Sequence, residues 1–76
     1  MNKKELRSKL AEMIIDLEII ISGVSEQTRE LKELIRFRNE LKKLVRKLES
    51  DWEIDWQLVI PLMVKFVEFI YLFSSK

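Results

Sequence analysis

Few side chains in this chain could do chemistry. Asp51, Glu53 and Asp55 form its one tight acidic cluster, and carboxylates so grouped could hold a hard cation or exchange protons. A calcium loop between helices needs a glycine and a longer ligand series, and neither accompanies these three residues. On a helix only Asp51 and Asp55 would share a face. Their simpler use is electrostatic, as acidic groups at the positive end of a helix. The sequence contains no His and no Cys, which removes the usual general base, the usual transition-metal ligands and any disulfide or zinc scaffold. Tyr71 and the serines have no base nearby in sequence, and there is no phosphate loop or nucleophile motif. The chain is therefore expected to be non-enzymatic, with no cofactor and no metal.

Binding chemistry is better represented. Arg36, Arg38, Lys42, Lys43, Arg46 and Lys47 stand against Glu40 alone, six basic residues and one acidic, a local charge of +5. All six fall off the apolar positions of their segment, on a broad arc about three helical turns long. That spacing suits nucleic-acid phosphates, which supply affinity without sequence information. It equally suits an acidic protein surface, or a solvated helix face of the kind abundant in heat-stable proteins. Arg38 also interrupts the Leu31/Leu34/Leu41 line, where a polar residue can fix helix pairing.

These residues need elements to carry them. With 76 residues, 47% of them hydrophobic, 36% charged and a net charge of +1, the chain is too apolar and too nearly neutral to be disordered. It makes a single domain, 1–76, in which nearly every apolar residue must be used. Leu6, Leu10, Met13, Leu17, Ile20 and Val24 recur at steps of four and three, which predicts a helix over about 3–22. Asn2 and Glu5 have the spacing of a capping box, and Gly23 suits a left-handed stop. Leu34, Phe37, Leu41, Leu44 and Leu48 predict a second helix over about 26–49, with Ser25 as its N-cap and Arg29/Glu33 and Arg36/Glu40 as pairs four apart. The third segment, about 52–73, is apolar nearly throughout, with Ser50 and Glu53 at capping-box spacing. Pro61 should either kink it near Gln57 or mark its true beginning.

The third helix makes the strongest demand. Trp52, Trp56, Val59, Met63, Phe66, Ile70 and Phe73 form one seam; Leu58, Leu62, Lys65, Phe69 and Leu72 form another. A helix apolar on so many sides is enclosed by protein or sits in lipid. The larger, more aromatic seam is expected to be the internal core. The seam that tolerates Lys65 is expected to dock on a partner, joined by Ile15 and Ile19 on the far side of the first helix. Trp56 to Phe73 is near the lower limit for a membrane span, against which stand Lys65 and Glu68.

The resulting expectation is an all-α three-helix unit, a helical hairpin plus a very apolar C-terminal helix, completed by oligomerisation or a partner. Its function is expected to be that of a cytoplasmic accessory or adapter subunit. It would dock through the third helix and present the basic face of the second, in a nucleic-acid-processing assembly. A ligand-free homo-oligomeric bundle, natural or designed, is the alternative, and a tail-anchored membrane protein a further one.

Overall fold

Three helices, and no strand among the described residues, make up the computed structural model of the chain, which describes residues 2–50 and 53–74. They are α1 (Lys3–Gly23), α2 (Arg29–Ser50) and α3 (Trp56–Ser74), in a molecule of 40 × 19 × 18 Å. The all-α reading with three helices in the expected order holds.

α1 begins as its sequence dictates. The Glu5 N–H donates to Asn2 Oδ1 at 2.8 Å, satisfying one of the free donors of the first turn. The return bond differs from a capping box: the Asn2 side-chain amide donates to Glu5 Oε1 at 3.0 Å. The left-handed stop at Gly23 does not form. No glycine has a positive φ; Gly23 closes the helix, and Val24 follows in extended backbone with its N–H bonded to Ile21 O.

The N-cap of α2 is Thr28, three residues beyond the expected Ser25. Its hydroxyl accepts the Leu31 N–H at 3.1 Å, and the Lys32 N–H bonds to Thr28 O. Ser25 to Gln27 serve as connection instead, because the first buried residue of the helix is Leu31, within one turn of Thr28.

α3 also starts later than expected. Ser50 ends α2, its hydroxyl donating back to Lys47 O at 3.2 Å, and lies six residues before the first residue of α3, out of capping position. Asp55 caps that helix: its carboxylate accepts the Gln57 N–H at 3.1 Å, and its carbonyl accepts from Leu58 and Val59. Pro61 neither begins the helix nor ends it, but sits inside it. Pro61 and Gln57 are both exposed, so water can reach the Gln57 carbonyl that a proline four residues on cannot satisfy. Asp51 and Trp52, expected at the start of this helix, lie outside the described residues.

The core is a leucine seam. Leu6, Leu10, Met13 and Leu17 of α1 meet Leu34, Phe37, Leu41, Leu44 and Leu48 of α2, closed from above by Val59 and Phe69 of α3. Residues near the start of α3 lie beside the end of α2, with Leu58 and Leu62 next to Leu44, Lys43 and Lys47. Residues near its end reach the α1–α2 turn, where Phe73 joins Ile20, Val24 and Thr28. α3 thus runs antiparallel to α2 along the hairpin groove, as short connections require.

Candidate interaction surfaces

One member of the acidic cluster has a structural role. Asp55 is the cap of α3, Glu53 is exposed in the turn before it, and Asp51 lies outside the described residues. A carboxylate whose oxygen holds a helix N–H uses its charge against the helix dipole. No group of three potential metal ligands occurs among the described residues.

The basic run is divided by the fold. Lys42 is half-buried and its ammonium lies 3.2 Å from Glu18 Oε1 of α1. Arg38, also half-buried, lays its guanidinium on its neighbour, with Nε and Nη2 donating to Asn39 Oδ1 at 3.3 and 3.1 Å. Arg36, Lys43, Arg46 and Lys47 are exposed and make no ion pair among the described residues. Arg29 pairs with Glu33 at 3.7 Å, but Arg36 and Glu40 do not approach, since Glu40 turns into the groove between α2 and α3 beside Leu58 and Leu62. A shallow concavity lined by Asn39, Lys42, Lys43 and Arg46 contains no acidic side chain. Four of the six expected basic residues therefore remain as a solvent-facing cationic patch.

The fold divides the expected docking seam of α3, turning Phe69 and Leu62 inward and leaving Leu58, Lys65 and Leu72 exposed. Phe69 is only 7% exposed. It stacks on Phe37 of α2, ring centroids 5.3 Å apart and planes at 29°, and on Phe73 at 6.5 Å. Leu62 is half-buried against the same core. Lys65 is exposed but its ammonium lies 5.6 Å from the Phe37 ring centroid and 5.9 Å from that of Phe69. Its charge stays in water over the aromatic faces while the stem covers apolar surface. A lysine here marks the α2–α3 boundary, not an outer face. Leu58 and Leu72 of this seam are exposed, at 40% and 45%, as is Lys65 between them.

The other seam is only partly internal. Val59 is fully buried, Met63, Phe66, Ile70 and Phe73 are half-buried, and Trp56 is 40% exposed. Both seams straddle the hairpin groove, and the outward face is a third stripe that neither contained: Ile60, Val64, Val67 and Tyr71, exposed by 55%, 53%, 64% and 76%. Its steps of four, three and four matched those of the seams, but an almost wholly apolar helix cannot rank its own faces by spacing. Ile15 and Ile19 lie exposed on α1, at 56% and 65%.

Trp56–Phe73, the window containing all three stripes, has a mean hydropathy of 1.6 and only 11% of it is buried. By length and composition alone this helix is apolar enough to cross a membrane. No family model matches the chain, and neither a curated protein nor a solved structure matches it.

Proposed function

We propose that the chain is a small non-enzymatic helical adapter that docks on a protein surface through the outward face of α3. One observation carries this reading: a contiguous stripe of Ile60, Val64, Val67 and Tyr71 stands more than half exposed on a helix whose opposite face, through Val59, Leu62, Phe66 and Phe69, packs on the hairpin. Together with Trp56 it presents on the order of 600 Å² of apolar surface, at the top of what soluble monomers leave bare, and such patches mark interaction sites. The rest of the fold supports presentation: a continuous leucine core holds α3 in place, so the stripe is displayed on a formed helix.

The test is a charge placed where folding does not need the side chain. Val64→Glu with Val67→Glu should keep the helicity and lose the association that the wild-type chain shows by light scattering at micromolar concentration. Should the wild type be monomeric, its face should still enhance anilinonaphthalene sulfonate fluorescence, and the variant's should not. A wild type and variant alike in mass and in dye binding would refute the docking reading.

A second reading rests on a separate observation, the exposed Arg36, Lys43, Arg46 and Lys47 of α2, which make no ion pair among the described residues. Such a patch suits the nucleic-acid backbone, and an adapter could use it while α3 is occupied.

A further inference from the structure

The docking reading leaves the occupant of the α3 stripe open, and the stripe itself supplies an answer. Ile60, Val64, Val67 and Tyr71 follow one another at four, three and four residues, the spacing at which one helix meets another along a coiled-coil seam. We propose that the partner is a second copy of this chain, its α3 packed antiparallel on the first. This inference rests on the docking reading and narrows it.

The case begins with self-complementarity. A two-fold axis through α3 between Lys65 and Phe66 sets Ile60 of one copy opposite Tyr71 of the other, and Val64 opposite Val67. The smallest side chains then meet at the centre, where helices approach most closely, and the larger ones pair toward the ends. Each Tyr71 lies near the rim, where its hydroxyl stays in water. The flanking positions agree. On one side of the stripe the half-buried Met63 and Ile70 meet each other across the axis; on the other, Glu68 of each copy comes beside Pro61. No like charges face one another. In a parallel pairing each stripe residue would meet only its own counterpart, Tyr71 against Tyr71 and valine against valine, while Glu68 would fall beside the apolar Met63 and Ile70 of the other copy. An interface in which one patch serves both copies is the usual form of a two-fold dimer.

The area is small but sufficient. Without Trp56 the stripe presents about 500 Å² on each copy, so pairing buries at most roughly 1,000 Å² in total, the least that a biological interface clears. The overlap runs nearly the length of a 19-residue helix, about 28 Å at the helical rise. Pairing would enclose each α3 between its own hairpin and the other α3, which is the setting a helix apolar on almost every side requires. The cationic residues of α2 are no part of the stripe, and the dimer would carry two copies of that patch.

The chain has no cysteine, so introduced thiols report register without interference. Chains carrying Ile60→Cys and chains carrying Tyr71→Cys, mixed under mild oxidation, should form a disulfide between unlike variants. Neither variant alone should cross-link, because its own thiols would stand about 16 Å apart along the axis, beyond disulfide reach. Light scattering should give about 18 kDa for the wild type, twice the 9.2 kDa of one chain, and 9.2 kDa for Val64→Glu. Self-cross-linking of each single variant, without the mixed species, would overturn the antiparallel pairing. A wild-type monomer would overturn the second copy as occupant, and its dye binding would then show whether the docking face itself survives. A monomer that floats with phosphatidylcholine–phosphatidylglycerol vesicles, while Val64→Glu does not, would assign the stripe to a lipid surface, against both the dimer and a protein partner. If Val64→Glu fails to fold, the cysteine pair, which leaves the centre of the stripe untouched, decides alone.

Discussion

Replacing Phe69 by alanine should cost the protein much of its stability, although Phe69 lies one helical turn after Lys65, in the seam that tolerates a lysine. Its ring is 7% exposed and stacked at 5.3 Å on Phe37, itself 1% exposed. Truncating a buried phenylalanine costs about 3–5 kcal/mol. A chain of 76 residues has a total stability of roughly 4–11 kcal/mol at the usual 0.05–0.15 per residue. Phe69→Ala should therefore remove between about a quarter and all of it, and lower the melting midpoint by at least about 12 °C at the roughly 4–8 °C per kcal/mol of a domain this size. Phe69→Leu keeps most of the volume and loses the ring, so it should cost only about 1–2 kcal/mol. Of this, about 0.5–1.5 kcal/mol should appear as coupling to Phe37 in a double-mutant cycle with Phe37→Leu. Urea titration followed by circular dichroism, at one fixed chain concentration so that self-association does not shift the midpoint, gives all these values. Ile15→Ala, on a side chain 56% exposed, is the control and should change stability by no more than about 0.5 kcal/mol. A Phe69→Ala loss as small as that of the control, or no coupling to Phe37, would refute the placement of Phe69 in the core.

Three further outcomes follow from the helix ends and the basic patch. Gly23→Ala should stabilise the chain by about 0.4–1 kcal/mol, because its φ is not positive and an added Cβ meets nothing within 4 Å; destabilisation in thermal melts would restore the left-handed stop. Thr28→Ala should cost about 1 kcal/mol through loss of the bond to the Leu31 N–H, whereas Ser25→Ala should be nearly neutral; the reverse ranking would return the cap to Ser25. If the α2 patch binds nucleic acid, Lys43→Gln with Arg46→Gln should weaken binding across unrelated sequences and reduce the salt slope by about two units. Adding Lys42→Gln should change little, since its ammonium is already paired with Glu18; fluorescence anisotropy at several salt concentrations measures both, and no binding at about 50 mM salt would end that reading.

How much of this could be read from the sequence depends on how locally each feature is decided. The three helices were legible because leucine spacing in α1 and α2 selects one face each, and the Asn2 cap was legible because it needs only residues three apart. Helix ends were less so: Ser25 and Thr28 are both competent caps, as are Ser50 and Asp55, and the choice fell to where the packed seam begins. The basic residues were visible as a run, but only the approach of α1 shows that Lys42 is neutralised by Glu18. α3 was the hardest to read. Its spacing supports three apolar stripes with equal regularity, and periodicity orients a helix only when polar residues oppose the apolar ones. What decided among them was tertiary: Phe37 offers a ring that Phe69 can cover, Lys65 can lie across both rings and keep its charge wet, and that docking turns Ile60, Val64, Val67 and Tyr71 outward. The sequence by itself determined that there was more apolar surface than one hairpin could enclose, because that is a matter of composition. Which part of it remains in water depends on the complementary shape of a neighbouring helix, and so only the tertiary structure decided it.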